Sequence, residues 1–270
     1  MLYYIVIIYG GKGIDMAKVI SIVNQKGGVG KTTSAVNLTA GLGLLGKKIL
    51  LIDIDPQGNS TSGYGINKRQ LKVSSYDVLT GGTSVADATI ATGFENISLV
   101  PSNMNLAGAE IEIIDMPERE RLLKNALTPI RADYDYIFLD CPPSLGLITL
   151  NALTASDTFL VPIQCEYYAL EGLSQLMSTV RKIKLKYNPL IELEGVLLTM
   201  YDGRLKLTQQ VVDEVKRFFP GKVYKSVIAR SVRLSEAPSF GQPIQYYDKR
   251  SRGAENYNAL AEEFLKKQIY

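Results

Sequence analysis

A glycine-rich stretch near the start of the chain constrains its fold more than any other feature. Residues 21–34 read SIVNQKGGVGKTTS, and Gly30-Lys31-Thr32 matches the end of the phosphate-loop pattern G-x-x-x-x-G-K-[ST]. The glycines of the stretch allow a tight turn that aims successive backbone N–H groups at anionic oxygens. In such a loop the Lys31 ammonium reaches the β- and γ-phosphates, and the Thr32 hydroxyl binds Mg²⁺. A second lysine, Lys26, makes this loop a variant of the pattern.

The segments on either side of the loop agree with it. Residues 18–23 (KVISIV) form a short apolar run that predicts a strand, and residues 32–45 place apolar side chains at helical spacing. A helix that begins at the loop adds the positive end of its dipole to the phosphate site. The candidate nucleotide-binding residues of the loop are Lys26, Gly27, Gly28, Val29, Gly30, Lys31, Thr32 and Thr33.

Two later apolar runs end in carboxylates. Residues 48–54 (KILLIDI) lead into Asp53 and Asp55, and residues 134–141 (YDYIFLDC) lead into Asp140. Such runs are typical of buried parallel strands, whose carboxyl ends form the edge where α/β sheets bind ligands. A hydrophobic strand followed by aspartate is the Walker B arrangement, so we expect Asp140 to hold Mg²⁺, through water. For Asp55 a structural alternative is that it caps the turn before a proline.

Strands and helices alternate along the whole chain, which predicts a doubly wound, mostly parallel α/β sheet with helices on both faces. We expect further strands at residues 96–100, 158–163 and 194–199, and helices at residues 118–130, 171–187, 206–219 and 253–267. Residues 58–82 are rich in small and polar side chains and predict a mobile switch region. One domain is expected over residues 16–270. Residues 1–15 are interpreted as an extension, disordered or from a mis-assigned start, or as an extra edge strand.

Composition narrows the chemistry. The chain contains no histidine, which excludes Ser-His and Cys-His nucleophiles and histidine-ligated zinc. Its two cysteines form neither a disulfide framework nor a metal-ligand spacing, as expected in a reducing compartment. The net charge is +3, but residues 200–270 hold 13 Lys and Arg against 8 Asp and Glu. This basic carboxyl-terminal part suggests a surface for nucleic acid, with an ordinary solvated surface as the alternative.

Several separated motifs together resemble one known family. They are residues 26–33 (KGGVGKTT), 53–59 (DIDPQGN), 140–144 (DCPPS), 164–173 (QCEYYALEGL) and 232–239 (VRLSEAPS). In this order they resemble the ParA/Soj chromosome- and plasmid-partition ATPases, which carry a deviant Walker A loop, and the resemblance runs from about residue 17 to the end of the chain. It implies a P-loop NTPase fold with ATP and Mg²⁺ as nucleotide and cofactor.

The resemblance also implies roles for particular residues. Lys26 would reach across a face-to-face homodimer to the partner's phosphates, and Asp55 would orient the water that attacks ATP. The catalytic residues so implied are Lys26, Lys31 and Asp55, and the metal-associated residues are Thr32, Asp55 and Asp140. Adenine would lie against the segment that contains Ile228, Ala229 and Val232. The chain departs from the family there, with Ala229 where proline and Ser231 where asparagine is expected.

The family's partners are implied in the same way. Arg204 and Arg233 resemble its DNA-contacting arginines, and no helix-turn-helix accompanies them, so we expect non-specific, backbone-directed DNA binding. Other basic side chains either extend this patch or are solvated surface charges: Lys222, Lys225, Arg230, Lys249 and Arg250. The resemblance further implies a ParB-like centromere-binding protein that stimulates weak basal hydrolysis, and a cytoplasmic, nucleoid-associated location.

Three other readings of the same loop remain open at this point. A MinD-like positioning ATPase would end in an amphipathic membrane-targeting helix, but residues 261–270 have only a modest apolar face, so no stable membrane association is expected. An iron–sulfur carrier would need paired cysteines that bridge a dimer, which Cys141 within its strand end does not offer. A nucleotide-gated scaffold or regulator with little hydrolysis would share every motif.

Overall fold

The strands of this protein were located in a computed structural model that describes residues 16–166 and 169–269. The predicted extension over residues 1–15 lies outside the described residues and stays a prediction. The strands are β1 (Lys18–Ile22), β2 (Ile49–Asp53), β3 (Ile90–Ala91), β4 (Ile97–Val100), β5 (Tyr136–Asp140), β6 (Thr158–Gln164) and β7 (Glu192–Thr199).

The helices fall between and after these strands. They are α1 (Lys31–Leu44), α2 (Asn59–Gly63), α3 (Ser75–Leu79), α4 (Val85–Ala88), α5 (Leu106–Glu112), α6 (Leu122–Leu127), α7 (Leu147–Ala155), α8 (Ala169–Lys186), α9 (Lys206–Phe218), α10 (Val232–Glu236), α11 (Ile244–Tyr247) and α12 (Arg252–Lys267). Short 3₁₀ helices cover Lys68–Gln70, Thr128–Asp133 and Ala237–Phe240.

All described strands belong to one sheet, in the order β3-β4-β2-β5-β1-β6-β7. Every neighbouring pair is parallel except β3 and β4, which are antiparallel. The strand that precedes the phosphate loop, β1, lies between β5 and β6. The chain therefore leaves β1 where the order of the sheet reverses, which is the point where doubly wound sheets bind ligands.

Helices cover both faces of the sheet, because its strands alternate the side to which they send apolar groups. In β1, Val19 belongs to one buried cluster and Ile20 to another. The first cluster includes side chains of α6, α7, α8 and α9, and the second includes side chains of α1, α11 and α12. The expected doubly wound, mostly parallel α/β fold is confirmed.

Two expectations about local structure need correction. The predicted helix over residues 118–130 begins only at Leu122, because Glu118 has a φ of 49°, in the left-handed region. It continues past Leu127 as a 3₁₀ helix that carries Pro129, a residue that cannot donate an i→i−4 hydrogen bond. The sequence reasoning also left out the short edge strand β3 and the helix α7.

The carboxyl-terminal helix uses its apolar face inside the protein. Tyr257, Leu260 and Phe264 of α12 are fully buried in the cluster that also contains α1. In the described part of the chain, which ends at residue 269, that face is therefore covered rather than presented to a membrane. No helix among the described residues combines the length and apolar character that crossing a bilayer requires.

Candidate nucleotide-binding site

The phosphate loop adopts a conformation that only glycine accepts readily. Gly28 has a φ of 73° and Gly30 a φ of 89°, and α1 begins immediately after Gly30. The Thr199 hydroxyl, at the end of β7, donates to the carbonyl oxygen of Val29 at 2.8 Å. Asn24 accepts from the backbone N–H of Lys26 at 3.0 Å and donates to β6. The loop is thus held at the amino end of α1 by side chains from outside it.

The two lysines of the loop have different surroundings, and Lys31 is the inner one. Lys31 is only 7% exposed, and its ammonium donates to the carbonyl oxygen of Lys26 at 3.2 Å. Burial lowers the pKa of Lys31, while the carboxyl groups of Asp140 and Asp55 act in the opposite direction. Lys31 therefore closes over its own loop, where a phosphate chain would lie.

Lys26 is the outer lysine. Its ammonium lies 2.8 Å from the Glu166 carboxylate, and both side chains are well exposed, at 39% and 48%. Nothing in this geometry directs Lys26 into the loop that Lys31 occupies. The two lysines are therefore not duplicates, and Lys26 is the one that a neighbouring molecule can reach.

Three carboxylates meet beside the loop. Asp53 and Asp140 end the adjacent strands β2 and β5 and are paired in register. Asp140 is fully buried, and burial raises its pKa, an effect that the nearby hydroxyls of Ser60 and Thr32 oppose. Its Oδ2 accepts from the Ser60 hydroxyl at 2.8 Å, whereas its Oδ1 has no hydrogen-bond partner among the described residues.

These groups fit a magnesium ion. A buried carboxylate oxygen without a partner, next to the Thr32 hydroxyl, is a donor set of the kind that Mg²⁺ accepts together with phosphate oxygens. Thr32 and Asp140 are the residues that would hold the ion. Asp55, 7% exposed, belongs to the same acidic group, since it contributes to the electrostatic surroundings of both Lys31 and Asp140.

Asp55 itself turns its side chain back onto the chain. Its Oδ1 accepts from the backbone N–H of Gln57 at 2.9 Å, which is the turn-capping contact raised as a structural alternative. That contact uses one of its two carboxylate oxygens. The capping role and a role toward water are therefore compatible in one side chain.

A cavity of about 250 Å³ continues from the loop toward the carboxyl-terminal segment. Two of the predicted adenine-contacting residues, Ile228 and Ala229, line it together with Gly30, Thr33 and Tyr257. The third, Val232, does not line it and is 72% exposed. Val232 begins α10, and Leu234 of the same helix lines the cavity, so the contact predicted for Val232 stays a prediction.

The predicted DNA-contacting arginines lie at the surface beside this cavity. Tyr201 pairs with Ala229, so the segments that carry Arg204 and Arg233 run next to each other. Both arginines have acidic partners. Arg204 contacts both carboxylate oxygens of Asp202, at 2.8 and 2.6 Å, and this holds the pKa of Asp202 down at about 2. Arg233 contacts Glu236 at 3.0 Å and Asp248 at 3.5 Å.

Sequence reasoning missed several residues that shape the site. Asn24 and Thr199 hold the loop, and Ser60 and Thr61 contact the buried carboxylates. Single polar residues at a strand end or in a short helix have no pattern of their own that would identify them in the sequence. Glu166 lies 140 positions from Lys26, a separation that no local pattern reveals.

Comparison with known proteins agrees with this geometry. A family profile described as an AAA domain matches residues 17–193. The chain is 58% identical over 248 residues to the sporulation initiation inhibitor protein Soj of Bacillus subtilis (strain 168), covering 92% of this chain and 98% of Soj. It is 48% identical to the chromosome partitioning protein ParA of Myxococcus xanthus (strain DK1622), covering 93% and 89%.

A solved structure extends the comparison to three dimensions. The structure described as cobyrinic acid a,c-diamide synthase from Mycobacterium smegmatis, with bound ADP and magnesium, superposes with a TM-score of 0.83 at 35% identity. The superposition covers 94% of this chain and 96% of that one. Sheet, phosphate loop and carboxylates define a P-loop ATPase with two loop lysines. Within that class, the chain belongs to the Soj/ParA family of chromosome-partitioning ATPases.

Proposed function

We propose that the protein is a nucleotide-driven DNA-partitioning switch. ATP with Mg²⁺ binds at the phosphate loop, two copies join face to face, and the joined basic surfaces hold DNA without sequence preference. Hydrolysis, stimulated by a ParB-like partner, releases the DNA. The solved relative that holds ADP and magnesium supports the choice of nucleotide and cofactor. Its place of action is then the nucleoid, within the cytoplasm.

The observation that carries this proposal is the contrast between the two loop lysines. Lys31 is buried over its own loop, whereas Lys26 is exposed and paired with the surface residue Glu166. A lysine in that position suits phosphate groups supplied by a second protomer. Contacts of this kind, made in trans, couple nucleotide binding to dimerisation and also stabilise the charge that develops during transfer.

The remaining site residues bind different parts of ATP, hold Mg²⁺ or orient the attacking water. Lys31 and the N–H groups of the glycines 27, 28 and 30 bind the phosphates, and the cavity lined by Ile228 and Ala229 receives the base. Thr32 and Asp140 would hold Mg²⁺, which neutralises charge on the β- and γ-phosphates. Asp55 orients the attacking water, a role that needs a carboxylate oxygen left over from its contact with Gln57.

DNA binding follows from doubling a modest basic surface. The salt dependence of binding to duplex DNA has a slope of about −0.9 per phosphate contact, so two protomers that present the same contacts double the slope. Arg204 and Arg233 are the proposed contacts. A monomer therefore binds weakly and the ATP-bound dimer tightly, which makes DNA binding respond to nucleotide.

The test combines light scattering after gel filtration with a DNA-binding assay on the Asp55→Ala variant. The conditions are no nucleotide, ADP and ATP with Mg²⁺, and Lys26→Ala in the same background removes the contact in trans. Of the three conditions, only ATP with Mg²⁺ is expected to produce a dimer that binds DNA. When Lys26 is replaced, we expect no dimer and no DNA binding under any condition. ATP binding without a dimer would overturn the proposal in favour of a nucleotide-gated scaffold.

A further inference from the structure

A buried carboxylate that the proposed chemistry does not use lies directly behind Asp55. Asp53 is 0% exposed, and its two oxygens contact different groups. Its Oδ1 accepts from the backbone N–H of Asp55 at 3.2 Å. Its Oδ2 accepts from Thr61 twice, from the backbone N–H at 2.8 Å and from the hydroxyl at 2.7 Å. Asp53 thus joins the residue that bears the water-orienting carboxylate to helix α2.

We propose that Asp53 and Thr61 form a positioning pair that fixes the backbone of Asp55 for ATP hydrolysis. The hydrogen bonds of the pair run to the backbone of Asp55 and of Ser102, so the pair acts through Asp55. This inference rests on the proposed function, because it assigns a task within the same hydrolysis step.

The contacts around Thr61 extend the pair to the rest of the site. The Thr61 hydroxyl also accepts from the backbone N–H of Ser102, which follows β4, at 2.9 Å. The preceding residue, Ser60, donates to Asp140 at 2.8 Å. Two consecutive hydroxyls of α2 therefore bind carboxylates at the ends of β2 and β5, and the position of α2 is tied to both.

The turn between Asp55 and α2 is held at its other end as well. Lys68 donates to the carbonyl oxygen of Gln57 at 2.6 Å. Gly58 has a φ of 59°, and a Cβ atom there would lie 2.6 Å from the backbone oxygen of Ser102. Because Gln57 and Gly58 are held in this way, a change at Asp53 or Thr61 is expected to shift Asp55.

Such a pair matters because hydrolysis depends on where the attacking water is held. A displacement of about 1 Å at a reacting group can cost on the order of 100-fold in rate without loss of substrate binding. The proposed substrate-binding groups are the phosphate loop and the base cavity, and the hydrogen bonds given above for Asp53 and Thr61 lead to neither. A positioning role therefore predicts a change in kcat that is not matched in KM.

The experiment compares four variants in steady-state ATP hydrolysis with Mg²⁺, with rates normalised to folded protein and thermal unfolding measured alongside. Thr61→Val removes the hydroxyl and keeps the shape, and Thr61→Ser restores the hydroxyl. Asp53→Asn changes the carboxylate that accepts from Thr61. It tests the same hydrogen bond from the other side if Thr61→Val folds poorly. Thr158→Val is the matched control, since it removes a 2.7 Å hydroxyl-to-carboxylate bond to Glu194 away from the site.

For Thr61→Val and Asp53→Asn we expect kcat to fall about 10- to 100-fold, with KM for ATP changed by less than about twofold. Thr61→Ser is expected within about threefold of wild type, and Thr158→Val is expected to alter only the unfolding temperature. A lower unfolding temperature with unchanged kcat for folded Thr61→Val would overturn the positioning pair. If the proposed function itself is wrong, the wild-type protein will not hydrolyse ATP. If only the positioning pair is wrong, the wild-type protein will hydrolyse ATP and Thr61→Val will do so equally well.

Discussion

The phosphate-loop side of the molecule and its basic surface are built in opposite ways. At the loop, Lys31 and Asp140 are buried, and each is hydrogen-bonded, Lys31 to a carbonyl oxygen of its own loop and Asp140 to Ser60 of α2. At the surface, Arg204 is 88% exposed and Arg233 56% exposed, and each is paired with acidic residues close to it in the chain or in the fold. One region is built from buried, hydrogen-bonded groups, and the other from exposed ion pairs that must exchange partners to bind a ligand.

The difference indicates which function depends on geometry and which on charge. A buried site is specific because each displaced group leaves an unsatisfied partner behind. Exposed ion pairs contribute little free energy and break readily, as the proposed sequence-independent binding of DNA requires. Substitutions at the loop should therefore change ATP binding and hydrolysis strongly. Substitutions at the surface should change DNA affinity by smaller amounts that depend on the salt concentration.

The largest effect is expected for Lys31→Ala. It removes the ammonium that lies over the loop, and loss of one preorganised group that stabilises developing charge costs about 100- to 1,000-fold in kcat. Steady-state ATP hydrolysis and nucleotide titration measure the change. The matched control is Lys48→Ala, an exposed lysine just before β2 at the other edge of the sheet. Equal losses for both variants would refute a special role for Lys31.

Asp55→Ala is expected to lower hydrolysis about 100-fold or more while ATP binding persists, since proton transfer and water orientation contribute on that scale. The variant should accumulate as an ATP-bound dimer on DNA, seen as co-elution of protein, ATP and DNA. Brisk turnover by this variant would leave Asp55 with only its turn-capping contact to Gln57.

The same contrast explains what the sequence could predict. The strands other than β3 and the phosphate loop could be predicted from local patterns, because an apolar run or a glycine turn is determined by residues adjacent in the sequence. The residues that contact the site from distant parts of the chain could not be predicted in this way. Thr61 reaches Asp53 only because α2 folds back on β2, and Glu166 meets Lys26 only through the sheet order. Helix α7 stayed unrecognised because it is buried on most sides and shows no amphipathic period.

Smaller effects are expected at the basic surface. Arg204→Glu and Arg233→Glu each remove one proposed phosphate contact per protomer, so the salt slope of DNA binding should fall by about two for a dimer. ATP-dependent dimerisation should persist in both, as measured by light scattering. Arg217→Glu is the control, an arginine 74% exposed with its own partner Glu214. Loss of dimerisation in both variants would contradict the division between loop and surface.

The smallest effect is expected for Asp202→Asn, which tests whether the acidic partner masks its arginine. Asp202 holds Arg204 through two hydrogen bonds and, with its pKa lowered, stays ionised at neutral pH. Removing that charge frees Arg204 for phosphate, and exposed pairs of this kind correspond to about a two- to fivefold change in affinity. Asp213→Asn changes the net charge equally on α9, where Asp213 contacts Gln209.

Titration of DNA with the two variants at several salt concentrations separates local release from net charge. Tighter binding by Asp202→Asn alone would mean that the arginine is masked until DNA competes for it. Weaker binding by Asp202→Asn would instead mean that Asp202 holds the Arg204 guanidinium in the pose that meets phosphate. The basic surface would then be preorganised in the same manner as the loop, and the contrast between the two regions would be one of exposure alone.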